Sequence, residues 1–365
     1  MWWVVSCALH YGLRYGLGFG GAFLGFCYFS STLARIGVDD PCPAFPTVLR
    51  VMYGLFGTRL THLVLGHFAH TRAGQQQAAQ TGGTQPTLAG EAVTGSSLRV
   101  AVLPVLGEIF GGNYAFVVFD AHDAQRRAVA VDGADPEVVL RYVASAGLTL
   151  THVLTTHWHW DHSGGNRRLQ AAWPDAIVVG GREEGWRVPC ARALVTHGDE
   201  LGVGTLAVKC HGLRGHTRGS ICYEVAVAGG SGRPALFTGD ALFIGGCGAL
   251  FEGSAAVMYA QLGRLFAALP PDTLLFPGHE YAAMLLTQAV QREPANEDAR
   301  RKLAWVRRQR EQRLPTVPSP LSDELAYNGW ARAAARKGDF GLFCRLCGVE
   351  DAPPDGTAAN AKRRD

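Results

Sequence analysis

Apolar and polar residues follow one another along this chain in three different rhythms, and each change of rhythm marks a new part. The first thirty residues, M-W-W-V-V-S-C-A-L-H-Y-G-L-R-Y-G-L-G-F-G-G-A-F-L-G-F-C-Y-F-S, are almost continuously apolar, with no acid and only His10 and Arg14 as strongly polar groups. About 20 apolar residues span a bilayer, and the stretch from Trp2 to Phe29 supplies that length if Arg14 faces a partner or snorkels. Gly12, Gly16 and Gly20 recur every four residues, as do Gly21 and Gly25, which gives a helix one small-residue face for close packing. The expectation is a hydrophobic membrane anchor within residues 1–70, against a targeting segment or an interfacial helix as competing readings. A second apolar stretch, 48–68, carries Arg50, Arg59, His62 and His67. It reads as a helix on the membrane surface, a poorer second span, or a helix packed on the globular part.

Residues 71–97, rich in Gln, Gly, Thr and Ala, have too little apolar surface to order themselves and read as a flexible linker. From Leu98 onward the rhythm becomes short apolar runs broken by turns. Strands are expected at 98–105, 114–119, 128–132, 150–155, 176–179, 206–210, 221–227, 235–238 and 273–276. Helices are expected at 136–146, 255–268, 282–292 and, long and charged, 296–313. The fold class is therefore α/β, two sheets with helices on their outer faces and a helical C-terminal region. The expected division is a domain over 98–280, a helical region over 281–345 and a disordered tail over 346–365.

Charge narrows the list of partners. The 34 basic and 31 acidic residues among 365 give a net charge of +3, and no dense basic stripe accompanies it, which argues against a nucleic-acid partner. The nine cysteines are scattered singly, as expected of reduced thiols in a reducing compartment. Cys344 and Cys347 form a lone C-x-x-C without a second pair to complete four metal ligands. Oligomeric state stays open, although the small-residue face permits helix pairing.

Four polar sites stand at the ends of expected strands. They are T-T-H-W-H-W-D-H-S-G-G-N at 155–166, G-H-T-R-G-S around His216, F-T-G-D ending at Asp240, and F-P-G-H-E-Y around His279. Glycines beside each polar residue let the backbone turn sharply and approach a bound group. A lone histidine is more often a hydrogen-bonded core residue than a ligand. Five histidines and two aspartates, all at strand ends, are a different matter. His157 and His159, two apart on extended backbone, project to one side and can grip one ion, and Asp161 and His162 follow the change of direction. A helix-start cluster capped by Asp161 would explain one acid but not three histidines. Seven such ligands exceed one tetrahedral ion and suit two ions, which in hydrolases lie about 3.5 to 4 Å apart.

T-H-W-H-W-D-H-S-G-G-N, G-H-T-R-G-S, F-T-G-D-A-L-F, G-C-G, F-E-G and P-G-H-E-Y, in this order, resemble the metallo-β-lactamase superfamily, and within it the glyoxalase II (hydroxyacylglutathione hydrolase) group. The resemblance runs from about Val102 to Asn328 and includes the later P-T-V-P-S and Y-N segments. It implies an αββα sandwich and two zinc ions, with iron or manganese as alternatives at either position. His157, His159 and His216 would bind one ion, Asp161, His162 and His279 the other, with Asp240 bridging. It further implies a water or hydroxide held between the ions to attack a thioester such as S-(2-hydroxyacyl)glutathione, oriented by Asp161.

The departures fall on the substrate side. Glutathione-binding members carry a lysine and a tyrosine where this chain has Ala249 and Phe251, so two donors are gone. Tyr281 matches a family tyrosine near the peptide moiety. Arg332, Arg336 and Lys337 lie near the place of the family's basic C-terminal pair, but read as a solvated helix face. A membrane-associated regulatory or scaffold protein that keeps the metal fold with weak catalysis is the reading from another class. A mononuclear iron enzyme of the persulfide dioxygenase type, which shares the fold, needs fewer ligands than the set present. The localisation expected is membrane-associated, the mitochondrion being one option.

Overall fold

The computed structural model describes residues 87–89, 91–106, 112–335 and 339–349. The expected anchor, the stretch 48–68, most of the linker, Arg336, Lys337 and the tail beyond residue 349 lie outside the described residues. None of the described helices is long and apolar enough to cross a membrane.

Strands β1 (Thr87–Ala89), β2 (Leu98–Val105), β3 (Asn113–Asp120), β4 (Arg127–Val131), β5 (Thr149–Leu154), β6 (Ile177–Gly181) and β7 (Ala193–Val195) form one sheet in that spatial order. Neighbours are antiparallel from β1 to β4 and parallel from β4 to β7. β8 (Glu200–Val203), β9 (Leu206–Gly212), β10 (Ile221–Val227) and β11 (Ala235–Gly239) begin the second sheet. β12 (Leu242–Phe243) and β13 (Gly246–Cys247) pair as a ribbon, and β14 (Leu274–Pro277) and β15 (Ser319–Pro320) complete the order β15-β14-β11-β10-β9-β8. β1 falls inside the stretch expected as linker: its backbone pairs with the open edge of β2 from Thr87↔Val102 to Ala89↔Val100. Edge pairing needs main-chain groups and little apolar side chain, so composition alone did not reveal it.

Parallel pairs need a crossover, and helices supply it except between β6 and β7, which a run of turns joins. After the short α1 (Glu91–Thr94), α2 (Pro136–Ser145) carries the chain from β4 to β5, with Asp135 capping the Val138 N–H and Val139 and Val143 buried beneath it. α3 (Trp160–Ser163) and α4 (Asn166–Ala172) lead from β5 to β6. α5 (Ala255–Ala268) lies between β13 and β14, and α6 (Ala282–Arg292), α7 (Glu297–Glu311), α8 (Leu321–Tyr327), α9 (Gly329–Ala335) and α10 (Phe340–Cys347) make the C-terminal helical part. α7 stays helical despite its charge because Asn296 caps it and Ala299, Leu303 and Val306 bury one stripe.

The central sheets are covered on both sides, so their strands read as unbroken apolar runs. Along β2, Leu98, Val100 and Val102 face the second sheet, whereas Ala101, Leu103 and Val105 join Val139, Val143 and Leu169 under α2 and α4. Phe116, Phe237 and Phe276 fill the space between the sheets with ring centroids 5.1 to 5.5 Å apart. Each buried aromatic of this kind contributes roughly 3 kcal/mol by burial. One edge of the sandwich is then closed by main-chain contacts, Tyr114 N–H to Gly278 O at 2.8 Å and Gly278 N–H to Gly239 O at 2.9 Å. The four ligand-bearing sites of the sequence converge on that edge. The six cysteines among the described residues are free, with Cys210, Cys222 and Cys344 buried.

Candidate metal centre

β5 ends at Leu154, and the backbone then bends through Thr156–Trp158 before turning into α3. His157 and His159 therefore leave the strand end together, and Asp161 and His162 follow on the first turn of α3. His216 comes from the loop between β9 and β10, Asp240 from the residue after β11, and His279 from just after β14. All seven residues meet. One potential ligand atom from each of His157, His159 and His216 lies within 4.8 Å of the others, and the same holds for His157, His162 and Asp240, and for Asp161, His162 and His279. His157, His159, His162, His216, Asp240 and His279 are buried, and Asp161 keeps a side chain 17% exposed.

The spacings are those of atoms that share an ion rather than a proton. Asp240 Oδ2 stands 3.4 Å from His216 Nε2 and 3.3 Å from His279 Nε2, and its Oδ1 stands 3.3 Å from His162 Nε2. Asp161 Oδ2 is 3.5 Å from His279 Nε2 and 3.8 Å from His162 Nε2. A charge-assisted hydrogen bond would close to about 2.8 Å. Two ligands on one zinc at about 2.05 Å stand roughly 3.3 Å apart in tetrahedral geometry. His162 Nε2 and Asp240 Oδ1, both buried, have no hydrogen-bond partner among the described residues. Such orphaned groups are rare in a stable core and fit a divalent ion.

A further ring of residues sets which nitrogen of each imidazole carries the proton. Thr156 Oγ1 donates to Asp132 Oδ2 at 2.7 Å, so its contact of 3.1 Å with His157 Nδ1 must be a bond donated by the ring. Asp132 Oδ2 also accepts from His162 Nδ1 at 2.9 Å, and the carbonyl of Ala249 accepts from His216 Nδ1 at 2.9 Å. Three imidazoles are thereby held with Nδ1–H outward and Nε2 turned toward the centre, where His216 Nε2 also lies 3.1 Å from His159 Nδ1. Asn113 Nδ2 donates to Asp161 Oδ2 at 3.2 Å and to the Asp161 carbonyl at 3.1 Å. Asp132 itself sits at φ +50°, a conformation aspartate tolerates, after the last residue of β4.

Two glycines admit the close approach. A Cβ on Gly248 would fall 1.7 Å from the Asp240 carbonyl oxygen, and one on Gly278 would fall 2.6 Å from His162 Cε1 and 2.8 Å from Asp240 Oδ1. Burial works against charge on His162, but Asp240, Asp161 and Asp132 outweigh it and hold its pKa well above the usual imidazole value. Burial prevails at His216 and lowers its pKa. Burial would raise the Asp240 carboxyl, but His279 and His162 hold it well below the usual range. Packed acids of this kind favour a positive charge at His162 Nε2, which a proton or a divalent cation can supply.

Aromatic rings flank the centre. Phe251 stands 5.1 Å from the His216 ring and 6.2 Å from His159, and Tyr281 stacks on His279 at 4.6 Å with ring planes 3° apart.

Comparison with known proteins agrees with this geometry. The metallo-β-lactamase superfamily model matches residues 116–279, and the model of the hydroxyacylglutathione hydrolase C-terminus matches residues 280–342. A hydroxyacylglutathione hydrolase-like protein of Gallus gallus is 40% identical over 235 residues, 64% of this chain and 80% of that protein. The Mus musculus protein of the same description is 38% identical over the same shares. The chain belongs to the hydroxyacylglutathione hydrolase group of the metallo-β-lactamase superfamily. A metallo-β-lactamase from Staphylococcus aureus, 20% identical, superposes with a TM-score of 0.52 over 71% of this chain and 70% of its own, which bears on the fold alone. With its His/Asp cluster, this member of the group is a hydrolase that depends on divalent metal.

Among the group's expected substrate residues, Ala249 enters the site through its backbone, orienting His216, while its side chain offers no donor. Arg332 is engaged with Glu293 at 2.5 Å, its side chain 26% exposed. Sequence reasoning missed Asn113, Asp132 and Thr156. Asp132 follows an apolar strand and precedes a glycine, the same signal that marked Asp240.

Proposed function

We propose that this chain hydrolyses small acyl thioesters, with S-(2-hydroxyacyl)glutathione as the type, at a centre holding two zinc ions. His157, His159 and His216 would hold one ion, Asp161, His162 and His279 the other, and Asp240 both. The observation that carries this reading is the Nδ1 hydrogen bonding of His157, His162 and His216, which turns three Nε2 atoms toward two buried or half-buried carboxylates. Divalent ions bound there supply Lewis acidity, which polarises a carbonyl oxygen and lowers the pKa of water toward about 7.

The chain's own residues do the rest. Asp161, the most exposed of the ligand candidates, is steadied by Asn113 and would orient the attacking water and take up its proton. Phe251, beside His216, and Tyr281, stacked on His279, would give a thioester aromatic surface next to the centre. The apolar N-terminal segment would tether this chemistry to a membrane, and fractionation of full-length protein against a chain lacking residues 1–70 reads that directly.

The test is a panel of acyl-glutathione and other acyl thioesters with full-length wild type and Asp161→Asn. Turnover by the wild type, reduced at least 100-fold in the variant, supports the reading. Ala249 and Phe251, which withhold two glutathione donors, favour the regulatory reading. Equal inactivity of both proteins toward every thioester would establish that alternative.

A further inference from the structure

A cleft of about 230 Å3 opens beside the loop that carries His216, walled by residues from four elements of the sandwich. Arg182 follows β6, His197 follows β7, Arg214 follows β9, and Gln261 and Arg264 lie one turn apart on α5. The sole acid in its lining is Glu183, which pairs with Arg214. Three guanidinium groups thus face one carboxylate.

What these groups have left to offer is donors. Arg182 spends one N–H on the Leu194 carbonyl at 2.9 Å, and a guanidinium carries five. Gln261 accepts the Arg214 N–H through Oε1 at 2.5 Å, so what it brings to the cleft is its NH2 group. Arg264 has no ion-pair partner among the described residues. The Thr196 backbone N–H, also in the wall, donates to Asp199 Oδ2, and the Ser220 hydroxyl is bonded to that of Thr217. Positive field is felt inside: burial first, then Arg264 and His211, lowers the pKa of His197.

We propose that this cleft binds a small phosphate oxyanion, the class that convergent guanidinium forks recognise in a bidentate manner. The volume admits inorganic phosphate or the phosphate end of a larger molecule. Gly219, in the same wall, donates its N–H to Glu184, which also holds the Trp158 N–H between His157 and His159. An occupant therefore rests on the loop that positions His216, and the phosphate could belong to the thioester's carrier portion or to a separate ligand.

The experiment titrates inorganic phosphate into full-length, metal-loaded protein by calorimetry, with wild type and the Arg182→Gln/Arg264→Gln double variant. Both substitutions are on exposed side chains, and thermal melting and metal content verify that the variant is folded and loaded. The expected result is saturable binding to wild type, weakened at least tenfold in the variant. Absence of saturable binding, or equal affinity in the variant because phosphate sits on the metal centre, overturns the proposal. Binding is read without turnover, so it stands or falls separately from the thioester reading. In a parallel assay, phosphate that raises the KM for a thioester identifies the cleft with the substrate's own carrier, and phosphate that leaves KM unchanged identifies a separate ligand. Either arm rests on the same site.

Discussion

Glu184 Oε1 accepts the backbone N–H of Trp158 at 2.8 Å from a position 26 residues further along the chain. Its other oxygen accepts the Gly219 N–H at 2.9 Å. One buried carboxylate thereby ties the loop of His157 and His159 to the loop of His216. A side chain on Gly219 would collide with it, the added Cβ lying 2.5 Å from Glu184 Cγ.

Replacing Glu184 with glutamine leaves one acceptor for two amides, so the loops lose their common anchor. The expectation for Glu184→Gln is metal affinity weakened about 10- to 100-fold with the fold retained, the usual cost of losing a support behind metal ligands. Equilibrium dialysis against a competing chelator measures it, and unchanged affinity would show that Glu184 braces nothing.

The same carboxyl carries a pH signature. Burial pushes its pKa up from 4.5 to about 7, although bonds from Thr217, Gly219 and Trp158 pull the other way. An acid whose pKa is raised on folding binds more protons in the folded state, so its contribution to stability falls as pH rises from about 4.5 to 7. The stability of wild type relative to Glu184→Gln should decline across that window by an amount on the order of 3 kcal/mol. Denaturant midpoints at four or five pH values test this, and a difference that rises with pH contradicts it.

Asp132 accepts the Thr156 N–H at 2.8 Å, the Thr156 hydroxyl and the His162 ring. Asp132→Ala should free both His157 and His162 to change tautomer, lowering metal retention at least tenfold. Elemental analysis of protein purified without added metal compares the two, and equal content would remove Asp132 from the account.

The candidate metal-binding residues are legible because His216, Asp240 and His279 each follow a glycine near the end of an apolar strand, and His157, His159, Asp161 and His162 crowd together after another. Asp132 carries the local strand-end signal, but its role and that of Glu184 depend on partners 24 to 35 residues away that only folding joins. Strand β10 and helices α5 and α6 have the bounds their periodicity predicts. β7 and β15, three and two residues long, are too short to show alternation, and exist because a neighbouring edge offers hydrogen bonds. α8 to α10 follow one another too closely for an apolar stripe to stand out, and packing decides them, α9 and α10 on α5 and α8 on α7 and α9.

Phe251 and Ala249 make a direct prediction about specificity. Restoring the two donors with Ala249→Lys and Phe251→Tyr should lower the KM for acyl-glutathione thioesters at least tenfold while leaving kcat within a few-fold, because a charge-assisted bond to a carboxylate adds about 1.5 to 3 kcal/mol. Steady-state kinetics of the double variant reads this, and an unchanged KM would separate the turn from glutathione recognition.

The central claim is that seven side chains from four loops hold a pair of divalent ions. Elemental analysis of full-length protein, wild type and Asp240→Ala, tests it most directly, because Asp240 faces both ligand sets. The account predicts about two equivalents of metal per chain in the wild type, predominantly zinc, and a loss of one equivalent or more in the variant. Wild-type protein with no bound metal, or an Asp240→Ala variant with an undiminished load, contradicts it.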